Sequence, residues 1–207
     1  MERRTLLSPG AKSGLTRDVI ARALSCGSGQ RSDGPPAGRL VPAAVLVPLV
    51  GRDDGITVLL TQRTAHLANH PSQISFPGGR IEAADRDPIA AALRETKEEI
   101  GLSAKQVAVL GCLDTYATST GFLVTPVVGW IDPPLDLVPD PFEVAEAFEV
   151  PLQLILDPAN HERHARLGPN GEVRDYVAIP FEGRVIWGAT AGMLVNLADV
   201  LRPCCES

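Results

Sequence analysis

The chain of 207 residues has no apolar run long enough to cross a bilayer as a helix, so no membrane partner is expected. It is also poor in cysteine. Cys26, Cys112, Cys204 and Cys205 form no C-x-x-C pair and no zinc spacing with the four histidines. They read as packing residues or exposed thiols of a reducing compartment, here taken as the cytoplasm. Positive charge is not in excess. Lys and Arg number 19 against 25 Asp and Glu, a net charge of −6, which argues against a basic surface for nucleic acid. The N-terminus lacks the apolar core of a signal peptide, because Thr5-Leu6-Leu7 is broken at once by Ser8-Pro9-Gly10. Several arginines and few acids near the start leave a mitochondrial presequence as a second reading.

What is present is a globular composition, 44% hydrophobic with a mean hydropathy near zero. The length suits one domain with a sizeable core. Residues 1–38 read as an N-terminal extension and linker, with a helix over Leu15–Leu24 capped by Thr16 and a Gly/Ser/Pro-rich loop from Cys26 to Gly38. Residues 39–203 read as the main domain.

That domain is organised around Phe76–Leu102, which reads FPGGRIEAADRDPIAAALRETKEEIGL. Pro77-Gly78-Gly79 is a turn signal. Asp87 suits an N-cap, Pro88 the first helical position and Gly101 the left-handed residue past the end, so a helix is expected from Pro88 to Ile100. Helical spacing puts Ile89, Ala92, Leu93, Thr96 and Ile100 on the buried stripe. Glu95 and Glu99, one turn apart, share another face beside Glu98. Arg94 can pair with Glu98, which leaves Glu95 and Glu99 without an obvious cation. Like charges at this spacing repel, and a divalent cation reverses that sign.

Elsewhere, Leu40–Val50 and Ile56–Thr61 read as strands joined by a hairpin loop, with Pro42 and Pro48 placing the first near an edge or at a bulge. Gln62–Ser75 is too polar for a core element. Val107–Thr115 and Leu123–Ile131 read as strands flanking a loop from Tyr116 to Gly121. Asp132–Pro141 is a proline-rich connection. Residues 152–156 read as a short helix, and 163–167 with 173–179 as a hairpin. A C-terminal helix ends near Leu201.

Gly79, Asp85, Arg94-Glu95, Glu98-Glu99 and Gly101 together resemble the Nudix box, G-x5-E-x7-R-E-U-x-E-E-x-G-U, where U is a bulky aliphatic residue. Asp85 stands at the Glu position, eight rather than seven residues separate it from Arg94, and Thr96 replaces an aliphatic residue. The resemblance covers roughly Leu40–Leu201. It implies an α/β protein, the Nudix α/β/α sandwich with a mixed β-sheet. It also implies Mg²⁺- or Mn²⁺-dependent hydrolysis of a nucleoside diphosphate linked to another moiety. Clustered cations offset the charge of such a substrate toward an attacking water. By the family pattern the metal ligands are Gly79 through its carbonyl, Glu95, Glu99 and Glu98, with Arg94 and Gly101 structural. Glu95, Glu98 and Glu143 are the catalytic candidates. Glu143 is the first choice of base, with Glu82 as an alternative and Asp85 structural.

LLTQR at 59–63, followed by FPGG at 76–79, is similar in length to the signature of Nudix enzymes that cleave coenzyme A, L-L-T-x-R-(S/A)-x3-R-x3-G-x3-F-P-G-G. Thr64 replaces Ser/Ala, Ala68 stands where Arg is expected and Ser72 where Gly is expected. This resemblance implies coenzyme A or its thioesters as substrate, with Arg63, His70 and Gln73 in the substrate loop. Another nucleoside diphosphate derivative, such as ADP-ribose or NADH, is the alternative enzyme reading. A non-catalytic binding module is the third. A homodimer is compatible with any of them.

Overall fold

Along the long apolar stretch Val41–Arg52, Ala43, Val47 and Leu49 enter one core while Ala44, Leu46 and Val50 enter another. Strand side chains alternate between faces, so this segment has two apolar faces, each of which must be covered. The computed structural model describes residues 14–24, 29–34, 38–66, 72–167 and 173–205. His70, Ala68 and Cys26 lie outside these residues, as does the turn between the two strands of the predicted C-terminal hairpin.

The strands of the main sheet are β1 (Gln30–Ser32), β2 (Val41–Arg52), β3 (Gly55–Arg63), β4 (Ile74–Ser75), β5 (Gly78–Arg80), β6 (Ala108–Cys112), β7 (Thr115–Ala117), β8 (Phe122–Ile131) and β9 (Val144–Pro151). They pair in the order β1-β7-β8-β2-β3-β4, with β5 on β2, β6 on β8 and β9 on β3. The sheet is mixed: β2 with β8 and β1 with β7 are parallel, and the other pairs are antiparallel. One face is covered by α2 (Pro88–Ile100), whose Ala91, Ala92 and Ile100 join Ala44, Leu46 and Leu59. The other is covered by α1 (Arg17–Leu24), α3 (Leu152–Leu156) and α4 (Ala189–Leu201). A second sheet, β10 (Glu162–Leu167), β11 (Val173–Phe181) and β12 (Arg184–Trp187), contributes Ile179 and Ile186 to that same core. The expected α/β class, mixed sheet and sandwich layering are all present. Among the described residues no helix is long and apolar enough to cross a membrane.

Several local expectations are corrected. β2 is not an edge strand, since it lies between β8 on one side and β5 and β3 on the other. Pro48 is tolerated because it falls between Val45, the last residue paired with β5, and Leu49, the first paired with β3. The strand expected over Val107–Thr115 is two strands, with a register shift on β8 between Val109 and Gly111. The polar stretch after Thr61 is partly sheet: Gln62 and Arg63 extend β3, and Ile74 and Ser75 fold back on it as β4. Within the expected linker, β1 pairs with β7. The acidic segment after Glu143 is β9, paired along β3.

Candidate active site

α2 is held at both ends by its own sequence. Asp87 accepts the Ala90 N–H at 2.7 Å, Pro88 opens the first turn, and Gly101 closes the helix at φ 73° with its N–H bonded to the Lys97 carbonyl at 3.0 Å. The buried stripe is rotated slightly from the expected one. Ala91, Ala92, Thr96, Glu99 and Ile100 are buried, whereas Ile89 and Leu93 are only half-buried. A carboxylate therefore enters the protected face.

The glycine turn fits against that face. Gly78 has φ 153°, and a Cβ there would lie 2.4 Å from the Ala44 carbonyl oxygen, so no side chain is admitted. Its N–H donates to Glu99 Oε2 at 3.3 Å. At Gly79 a Cβ would lie 2.5 Å from the Glu95 carboxyl group, so the missing side chain is what lets the Glu95 carboxylate reach this backbone. Gly79, Glu95 and Glu99 are thus brought together from opposite ends of the motif. Glu143, exposed at the start of β9, is near enough that its charge raises the pKa of both Glu95 and Glu99. Glu82 is exposed, and its backbone N–H bonds to Asp85.

Two cations qualify the sequence reading of an unaccompanied Glu pair. Arg94 does pair with Glu98, at 3.1 Å, but also with Glu95 at 3.0 Å. It is anchored by a two-pronged contact to Asp85, at 3.0 and 2.9 Å. Asp85 is held below the usual carboxylate range by this contact and by the Glu82 N–H. The shorter acid, one residue further away, still reaches Arg94. The second cation is Arg63, whose Nη1 lies 3.9 Å from Glu99 Oε1. No local signal marks that pair, because 35 intervening residues separate the partners in sequence. Gln73 is linked to it through the backbone, its carbonyl accepting the Arg63 N–H at 2.9 Å.

Burial dominates the electrostatics of Glu99, pushing its pKa up to about 8 against the Gly78 N–H and Arg63. Burial also raises Glu95, against the opposing effect of Arg94. Carboxylates crowded into a protected site this way gain most from a cation. Among the described residues, no three His, Cys, Asp or Glu side chains converge on one point. The donor set nonetheless fits Mg²⁺ or Mn²⁺: Mg²⁺ keeps several waters and substrate oxygens and needs only one or two direct carboxylates. Glu99, Glu95 and the half-buried backbone of the glycine turn supply such a set.

A NUDIX domain family profile matches residues 40–170. A relative from Photorhabdus laumondii named "Uncharacterized Nudix hydrolase NudL" is 39% identical over 169 residues, covering 80% of this chain and 89% of the relative. A protein of the same name from Citrobacter koseri is 41% identical over 161 residues, covering 75% of this chain and 80% of its own. A MutT/nudix family protein from Enterococcus faecalis shares the fold, with a TM-score of 0.50 at 17% identity, over 82% of this chain and 65% of that one. Together with the box residues gathered around the glycine turn, these matches establish that the chain belongs to the Nudix hydrolase family.

Proposed function

We propose that this Nudix hydrolase is a divalent-metal-dependent pyrophosphohydrolase of coenzyme A and its thioesters, releasing 3′,5′-ADP and 4′-phosphopantetheine or its acyl form. What supports the substrate is the loop before the glycine turn. It keeps the length of the coenzyme A signature, and Ser72, where the signature has Gly, adopts φ 59°. That is a conformation glycine favours and other residues rarely adopt, so Ser72 takes a backbone angle suited to the glycine of the signature.

Glu95, Glu99 and the Gly79 carbonyl would hold Mg²⁺ or Mn²⁺, with Glu98 as a further ligand. When bound, the metal offsets the charge on the diphosphate and the attacking water. Arg94, fixed by Asp85, orients Glu95 and Glu98 rather than touching substrate. Arg63 beside Glu99 is placed to contact a diphosphate oxygen, and His70 and Gln73 belong to the same loop. Glu143 takes the proton of the attacking water. The new P–O bond forms as the bridging P–O bond breaks, and the leaving phosphate carries away the electron pair.

Ala68 removes the guanidinium that the signature offers to a phosphate, so recognition of the 3′-phosphate is weakened. Ala68→Arg should lower KM for coenzyme A more than for dephospho-coenzyme A. The deciding experiment compares kcat/KM for coenzyme A, dephospho-coenzyme A, ADP-ribose and NADH. Coenzyme A should lead. A preference of about tenfold or more for ADP-ribose or NADH, worth about 1.4 kcal/mol, would sink the substrate assignment.

A further inference from the structure

The sheet face opposite the α2 carboxylates carries a groove with no part in the chemistry above. One lobe, about 60 Å³, starts at Gln73 and passes Thr118 and Ser119 to Trp187. The other, about 280 Å³, shares Asp33, Asp175 and Tyr176 with it and ends at Tyr116, Arg163 and Gly192. Its walls come from β1, β11 and the start of α4, three segments distant in sequence. The small lobe reaches Gln73, whose carbonyl accepts the N–H of Arg63 at 2.9 Å, and the guanidinium of Arg63 lies 3.9 Å from Glu99.

Tyr116 offers the larger lobe a hydrogen-bonding contact for a ligand. The residue is 5% exposed, yet its hydroxyl, lining the cavity, has no hydrogen-bond partner among the described residues. The hydroxyl opens into the cavity, so a ligand carbonyl can take the hydrogen bond it otherwise gives to solvent. Gly192 makes room for it, since a Cβ there would lie 2.3 Å from the phenol oxygen. Burial and the charge of Asp33 raise the phenol pKa, so the group remains a hydrogen-bond donor.

The lining also discriminates between ligands. Arg31 is already neutralised by Asp114 at 3.4 Å and Asp199 at 2.8 Å. Arg163 and Asp175, which have no ion pair among the described residues, balance one another. With Asp33 and Asp175 offsetting Arg31 and Arg163, the lining has no net positive charge to favour a phosphate. The Tyr176 ring is already engaged by His164, with centroids 5.4 Å apart, and by Trp187 at 6.1 Å, which disfavours stacking of a purine. An uncharged chain of amides and hydroxyls is suited instead. Tyr116 and Arg163 donate to amide carbonyls, Asp175 accepts an amide N–H, and Val177 and Val195 cover methyl groups.

We propose that this groove binds the pantetheine arm of coenzyme A, with the Tyr116 hydroxyl as a specificity-determining contact; the choice of ligand rests on the coenzyme A reading above. The test uses the full chain with Mg²⁺. Tyr116→Phe keeps the ring and removes only the hydroxyl. It should raise KM for coenzyme A about 2- to 10-fold, the range expected for one hydrogen bond, with kcat little changed. Activity on ADP-ribose, which has no pantetheine, should not move. Asp175→Asn, an exposed position, should raise KM for coenzyme A in the same range. Free pantetheine should bind the wild type in ligand-observed NMR, and Tyr116→Phe should weaken it. An unchanged KM for coenzyme A in Tyr116→Phe, or an equal loss on coenzyme A and ADP-ribose, overturns the groove while leaving the substrate reading intact. Pantetheine binding that Tyr116→Phe weakens, without coenzyme A turnover, keeps the groove and overturns the substrate reading. Absence of pantetheine binding to the wild type overturns the groove.

Discussion

Helices α2 and α4 are both 13 residues long and cover opposite faces of the same sheet, but they are held there by different means. α4 buries eight residues and has no side-chain cap, so packing defines it. α2 buries five, one of them the ionisable Glu99, and relies on Asp87, Pro88 and Gly101 to fix its ends. The contrast separates two tasks. α4 supplies stability. α2 holds charges near the sheet at a cost in stability, and its caps keep the register that aligns Glu95 and Glu99 with the glycine turn.

The largest expected effect breaks the functional side of this contrast. Glu99→Gln should lower kcat on the order of 10²–10³-fold, as expected when a group stabilising transition-state charge is removed. Circular dichroism should show the fold retained. Near-normal turnover at limiting Mg²⁺ would remove Glu99 from the metal site.

The structural side is broken from α4. Leu197 is 0% exposed, so Leu197→Ala should cost about 2–5 kcal/mol with little effect on kcat at temperatures where the variant is folded. Leu93→Ala on α2 should cost less, about 1–2 kcal/mol, because the side chain is only half-buried. Urea unfolding of the two variants measures the difference. Equal costs would mean that α2 is packed as tightly as α4.

These helices also separate what is legible in sequence from what is not. The bounds of α2 follow from residues within the helix or next to it, so Pro88–Ile100 and the left-handed Gly101 can be read directly. The end of α4 near Leu201 follows from its continuous apolar pattern. Non-local pairing is not legible. β2 carries two prolines yet is central, because its neighbours β8, β5 and β3 come from distant sequence and the prolines fall where pairing permits. β1 is three polar residues whose only signal is the strand it meets. Within the site, the box carboxylates and the glycine turn are readable. The Arg63–Glu99 contact is not, since it joins the end of β3 to the last turn of α2, elements distant in sequence. The Asp85–Arg94 anchor is half-readable: the acid reads as structural, but its partner emerges only from the loop geometry.

A smaller effect sharpens the comparison at the loop feeding α2. Ser72 adopts φ 59°, so Ser72→Gly should stabilise by about 1 kcal/mol if the loop keeps its conformation. Thermal unfolding without substrate tests this, and a loss of stability would mean that the serine makes a compensating contact.

We infer that Glu99 trades stability for metal chemistry. Its folded pKa, pushed up to about 8, lies above the unfolded value near 4.3. The folded state therefore holds the extra proton, and this contribution to metal-free stability declines as pH rises from about 4 to about 8. Mg²⁺ or Mn²⁺ should restore stability by binding the folded state. The direct measurement is the melting temperature of wild type and Glu99→Gln across that pH range, with and without metal. Wild type should lose stability toward pH 8 without metal and regain it with metal. Glu99→Gln should melt higher than metal-free wild type near pH 8, with a flatter pH dependence and a diminished metal shift. A variant that melts lower than metal-free wild type at pH 8, or keeps the full metal shift, would contradict the account.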